Sequence, residues 1–139
     1  MFITGSSSYA RIGLHVCFKV KYCHKVFDHT GVRTRCEAIF RAVAVEQRVY
    51  IEELGFGSDH VHMVWYVGIT HRIDHLVKSF KGRSAKMLLR EFPEIKKKYF
   101  WGSGLWGRQT YVDSVGQNRE QIQKYVQNQR YHPTNTASL

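Results

Sequence analysis

The sequence predicts an α+β fold, an antiparallel sheet with helices on one face, and three observations carry that prediction. Apolar residues recur at every second position in four short stretches and at every third or fourth position in three longer ones. The stretches follow one another in the order β-α-β-β-α-β-α. The 139 residues make one domain's length, and a hydrophobic content of 43% with only 2 prolines suits a packed core. Lys and Arg number 21 against 11 Asp and Glu, a formal charge of +10. The apolar content excludes a disordered basic tail, so residues 1–139 are read as a single basic domain whose partner is a polyanion.

The first strand runs from Gly13 to Cys23, where Leu14, Val16, Phe18, Val20 and Tyr22 alternate with His15, Cys17, Lys19 and Lys21. That alternation gives one apolar and one wet face, and the strand is expected to run into a hairpin near Asp28. From Val32 to Arg48 the apolar positions change to helical spacing, with Val32, Cys36, Ile39, Phe40, Val43 and Ala44 on one stripe. Val49 to Phe56 and His60 to Val67 read as strands around the turn Gly57-Ser58-Asp59. A second helix shows Ile73, Leu76, Val77, Phe80, Met87 and Leu88 on its apolar side, is interrupted at Gly82 and stops before Pro93. A Trp- and Gly-rich loop from Phe100 to Gly107 leads to a strand at about Gln109 to Val115. Asn118, with Gln121 three residues on, forms the capping box of a last helix reaching Arg130. Two right-handed crossovers in this order give a ferredoxin-like, RRM-like sheet whose second face stays free.

Cys17, Cys23 and Cys36 form no CxxC pair, which points to ordinary buried thiols in a reducing compartment. No basic-then-apolar leader opens the chain, and no apolar run approaches the roughly 18 residues of a membrane span. A cytoplasmic protein without a membrane partner is expected.

The densest chemistry lies in Asp59-His60-Val61-His62. Residues i and i+2 of a strand share a face, so His60 and His62 present two imidazoles together while Val61, Met63 and Trp65 face the core. Two histidines with no neighbouring cysteine suit an open metal site, and the competing reading is a pair of structural histidines. Asp59 reads first as a turn residue and second as a partner that orients an imidazole. On the last helix, Ile122, Tyr125, Val126 and Gln129 share one face, which sets Tyr125 and Gln129 one turn apart. By itself that stripe is ordinary core.

Four ordered blocks resemble a known family. They are His60-Val61-His62, the segment Lys78 to Ala85, the stretch from Leu105-Trp106 through Tyr111-Val112 to Val115-Gly116, and Tyr125-Val126-Gln127-Asn128-Gln129. Together they resemble the IS200/IS605 single-tyrosine transposases of the HUH endonuclease superfamily, over nearly the whole span from Leu14 to Gln129. The resemblance implies that His60, His62 and Gln129 hold a divalent cation, Mg²⁺ or Mn²⁺, and that Tyr125 on the C-terminal helix is the nucleophile. It further implies cleavage and rejoining of single-stranded DNA with hairpin element ends through a 5′-phosphotyrosine link, in a homodimer with composite active sites, in a prokaryotic cell. Met63 stands where the family usually has Leu, and Cys23 stands in a commonly more basic segment. Tyr111 and Tyr131 are rival nucleophiles, but neither sits one turn from a Gln on that helix.

Basic residues gather at Lys78, Lys81, Arg83, Lys86 and Arg90, then Lys96 to Lys98, with Arg108 before the last strand. Lys78, Lys81, Arg83, Lys86 and Arg108 are expected to contact phosphates. Phe100, Trp101 and Trp106 suit either base stacking or the core. The acidic residues are scattered, which argues against the three-carboxylate chemistry of ribonuclease-H-like transposases. Two rival readings remain, another HUH nuclease with a different DNA target and a non-catalytic single-strand binding module.

Overall fold

In a computed structural model, which describes residues 3–4, 9–100 and 102–116, a short pair of strands precedes the main sheet. These are β1 (Ile3–Thr4) and β2 (Tyr9–Ala10). The main sheet holds β3 (Ile12–Val20), β4 (Tyr50–Phe56), β5 (His60–Val67) and β6 (Trp106–Ser114), all antiparallel, in the order β4-β5-β3-β6. Helices α1 (Thr30–Gln47) and α2 (Ile73–Glu91) make the crossovers, followed by the short α3 (Pro93–Tyr99). This is the ferredoxin-like arrangement that the element order predicts.

The core lies between the sheet and α1 and α2. Leu14, Val16, Phe18 and Val20 of β3 and Val61, Met63, Trp65 and Val67 of β5 meet Ile39, Phe40 and Val43 of α1 and Leu76, Phe80 and Leu88 of α2. Phe18 is its hub, edge-on to Phe40, Trp65 and Trp106. Burying each such side chain stabilises the fold by roughly 1.5–3 kcal/mol. The buried polar groups here are satisfied: Ser84 Oγ donates to Phe80 O at 2.7 Å and accepts from Trp106 Nε1–H at 2.9 Å. Phe100 and Trp106 are therefore core residues, not base-stacking ones, and Trp101 lies outside the described residues.

Several element ends differ from the sequence reading, each for a local reason. β3 stops at Val20 because Tyr22 and Cys23 take positive φ of 59° and 58°, which no strand accommodates. No hairpin follows; two 3₁₀ turns, Lys21–Cys23 and Val26–Asp28, lead into α1. His29 caps α1 by accepting the Val32 N–H at Nδ1, 3.2 Å away, and Arg48 ends it at φ 59°. α3 begins at Pro93, a residue suited to the first turn of a helix, where the sequence reading had only an end. β6 starts at Trp106, inside the expected loop.

α2 runs unbroken through Gly82, where an added Cβ would meet nothing within 4 Å. Gly82→Ala is thus expected to raise stability by about 0.5–1 kcal/mol, read as a higher thermal midpoint. Cys17 and Cys36 are buried, and Cys23, contrary to expectation, is exposed in the left-handed turn. Burial pushes the Cys17 thiol up to about 12, so it stays protonated at neutral pH. No described helix is long and apolar enough to cross a membrane.

Candidate active site

The sheet's second face is not wet. His15, Cys17, His60, His62, Val64 and Tyr66 alternate with the core residues of β3 and β5, and all six are buried. Both strands are internal to the sheet, so each of these side chains has strand neighbours on either side. Within this face His60 is 2% and His62 4% exposed, their ring centroids 6.4 Å apart.

Asp59 Oδ1 lies 3.0 Å from His60 Nδ1, and this hydrogen bond holds the Asp59 carboxyl below its ordinary range. An ionised carboxylate there accepts from Nδ1–H and leaves the lone pair on Nε2. His60 Nε2 is buried and has no hydrogen-bond partner among the described residues. A buried imidazole with one nitrogen oriented by a carboxylate and the other unsatisfied has the donor chemistry a divalent cation requires. Among the described residues no third His, Cys, Asp or Glu completes a metal-holding cluster. Replacing the carboxylate, Asp59→Asn, is expected to weaken Mn²⁺ binding about 10- to 100-fold in calorimetry.

Two glycines, Gly55 in β4 and Gly57 just past its end, shape the site, and the sequence reading missed that role. β4 pairs with β5 through a bulge: Ile51 lies opposite Trp65, and beyond the register shift Leu54 lies opposite Met63 and Gly55 opposite His62. The extra residue changes which face odd and even positions take. Ile51, Leu54 and Phe56 all pack on the core, while Gly55 and Gly57 join the histidine face. A Cβ on Gly55 would stand 2.5 Å from His62 Nε2, and one on Gly57 would stand 2.7 Å from His60 Nδ1. The imidazoles lie in the space those side chains would fill. The sequence signal was there: Ile51, Leu54 and Phe56 break strict alternation by one position, and Phe56 is the middle residue of Gly55-Phe56-Gly57. Because the obstructed atoms end rotatable side chains, Gly55→Ala is expected to displace the His62 ring without unfolding β4. The result should be Mn²⁺ affinity lower by about tenfold with a nearly unchanged thermal midpoint, by calorimetry and thermal melting.

The basic residues divide. Lys78, Lys86 and Arg108 are exposed. Lys81, whose pKa burial lowers, donates to Gly107 O at 3.0 Å and Gln109 O at 3.3 Å, tying α2 to β6. Arg83 holds both oxygens of Glu46 at 3.0 and 2.9 Å, tying α2 to α1. The α2 residues belong to the helical side of the sheet, away from the histidines. Tyr111 lies opposite Cys17, which lies opposite His62, so this rival nucleophile shares the histidine face. Its hydroxyl donates to Gln109 Oε1 at 2.8 Å. Tyr125, Gln129, Tyr131 and the expected helix 118–130 lie outside the described residues.

A family profile described as "Transposase IS200 like" matches residues 8–129. The chain belongs to the IS200-like transposase family. The ISDra2 transposase TnpA of Deinococcus radiodurans is 32% identical over 116 residues, covering 83% of this chain and 81% of that protein. The transposase for insertion sequence element IS200 of Salmonella typhimurium is 31% identical over 115 residues, covering 83% and 74%. A candidate transposase from Deinococcus radiodurans R1, solved by crystallography, superposes with a TM-score of 0.74 at 30% identity, covering 91% of this chain and 97% of that one. A REP-associated tyrosine transposase bound to a REP hairpin shares the fold, with a TM-score of 0.60 at 9% identity over 89% and 64% of the two chains. As an IS200-like transposase the chain is a DNA-processing enzyme, and the expected family and fold both stand.

Proposed function

We propose that this transposase cleaves and rejoins single-stranded DNA by transesterification, with Tyr125 as nucleophile and His60, His62 and Gln129 as ligands of Mg²⁺ or Mn²⁺. The observation that supports it most is His60, buried, oriented by Asp59, and with no hydrogen-bond partner for Nε2 among the described residues. The Tyr125 oxygen attacks the scissile phosphorus and loses its proton. The bond from phosphorus to the 3′-oxygen breaks, and that strand leaves as a 3′-hydroxyl, taking up a proton. The 5′-phosphotyrosine that forms conserves the phosphodiester, so another 3′-hydroxyl reverses the step without ATP. A bound divalent cation would polarise the phosphate and offset the charge that grows during displacement.

Each of the chain's own groups has a part in this reading. Asp59 fixes the His60 ring, and Gly55 and Gly57 leave both rings their space. Lys78, Lys86 and Arg108 meet the DNA backbone, while Lys81 and Arg83 first exchange their protein partners for phosphate. Hairpin ends of the element serve as the recognised partner, and two copies of the chain form composite active sites. The test incubates the protein with single-stranded element-end DNA and Mn²⁺. A covalent protein–DNA species that forms only with metal supports the reading; binding with no metal-dependent nicking would favour the non-catalytic binding module.

A further inference from the structure

Beyond β3 the chain does something costly and specific. Tyr22 and Cys23 both sit in the left-handed region, and the turn that holds them leaves the Tyr22 ring 71% exposed. An aromatic ring held outward by a strained turn needs a reason. The turn is also anchored: the Lys21 N–H donates to Leu105 O at 2.9 Å, the Val20 N–H to Asp59 O at 2.8 Å, and the Phe27 N–H to Ser58 O at 3.0 Å.

Around Tyr22 the rings continue inward. Tyr22 is edge-on to His24 at 5.9 Å, and His24 lies on Tyr99 of α3 at 4.6 Å with 32° between the planes. Cations flank the rings: Lys21 Nζ is 5.5 Å from the Tyr22 centroid and Lys98 Nζ 5.0 Å from that of Tyr99. Lys25 and Lys98 also line a cleft of about 500 Å³ between the second 3₁₀ turn and α3. The acids bordering that cleft are engaged, Asp28 by the Ser58 hydroxyl at 2.6 Å and Glu94 by His29 at 3.3 Å. Position matters as well, since Lys19 pairs with His60 across the sheet and the turn opens just past that row.

We infer that Tyr22, His24 and Tyr99, with Lys21, Lys25 and Lys98, form a stacking platform for an unpaired nucleotide of single-stranded DNA next to the cleavage site. This deepens the proposed reaction and rests on it. The platform has what sequence-tolerant recognition of single strands uses, an accessible ring face with cations placed for the adjoining phosphates. A fully paired duplex offers no free base face, so the platform distinguishes the two forms of DNA.

The test measures fluorescence anisotropy of a labelled single-stranded oligonucleotide and of a fully paired duplex, in EDTA so that no cleavage intervenes. Tyr22→Ala is expected to weaken single-strand binding about tenfold, and Tyr22→Phe to keep it within about twofold. Duplex binding should be unchanged in both, and circular dichroism confirms that both fold. Lys98→Ala should lower the slope of log affinity against log salt by about 0.7 on the single strand. Wild-type affinity in Tyr22→Ala, or an equal loss on duplex and single strand, would overturn the platform alone. Failure of the wild-type protein to bind single-stranded DNA at all would overturn the underlying reading as well.

Discussion

Tyr125→Phe is expected to abolish the covalent protein–DNA species and lower strand cleavage by on the order of 10³-fold or more, because on the proposed mechanism it deletes the oxygen that forms the intermediate. Denaturing gel electrophoresis after incubation with single-stranded element-end DNA and Mn²⁺ gives the reading. The informative companion is Tyr111→Phe. Tyr111 shares the histidine face with Tyr66 and stands in one row with Cys17 and His62. Across two strand spacings it stands roughly 10 Å from the His62 strand. An adduct that survives Tyr125→Phe and disappears in Tyr111→Phe would transfer the nucleophile's role to the sheet itself.

His62→Ala is the second large effect. It removes one of three imidazoles from a face that also presents Cys17, Val64 and Tyr66; His15 lies opposite Val64, one same-face position along β5 from His62, and the Cys17 thiol stays protonated. Cleavage should fall below detection, on the order of 10³-fold, and Mn²⁺ binding should be lost in calorimetry. Hairpin DNA affinity should stay within about twofold, since phosphate contacts by Lys and Arg supply most of it. Simultaneous loss of DNA binding would mark His62 as structural. His62 is 4% exposed, so a thermal melt of the variant belongs to the same experiment.

Much of this was legible in the sequence, and what was not has identifiable physics behind it. β5 begins and ends where the sequence reading put it, because its alternation is strict and a turn precedes it. The end of β3 was misplaced because Tyr22 continues the apolar alternation that Val20 belongs to, and a left-handed backbone leaves no mark in hydropathy. α3 was missed because Lys96, Lys97 and Lys98 mask its periodicity, and only Ile95 of its seven residues is buried. The histidine face was expected wet because His15, Cys17 and Lys19 look polar in sequence, whereas the burial of His15 and Cys17 is a property of the folded sheet that hydropathy does not carry. Asp59 was read first as a turn residue, and its hydrogen bond to His60 depends on a rotamer that no spacing rule supplies. Lys81 and Arg83 illustrate the limit of charge counting, since each cation has found partners on a neighbouring element.

β5 also links two properties that are usually free to vary apart. Its odd-numbered residues Val61, Met63 and Trp65 fill the core, and the even-numbered His60 and His62 belong to the site, so stability and chemistry are written alternately along one backbone. A core substitution that tilts this strand shifts the imidazoles too. Sequence drift at Met63 or Trp65 is therefore filtered twice, once by folding and once by catalysis, and compensating changes must restore the strand's placement as well as the core's volume.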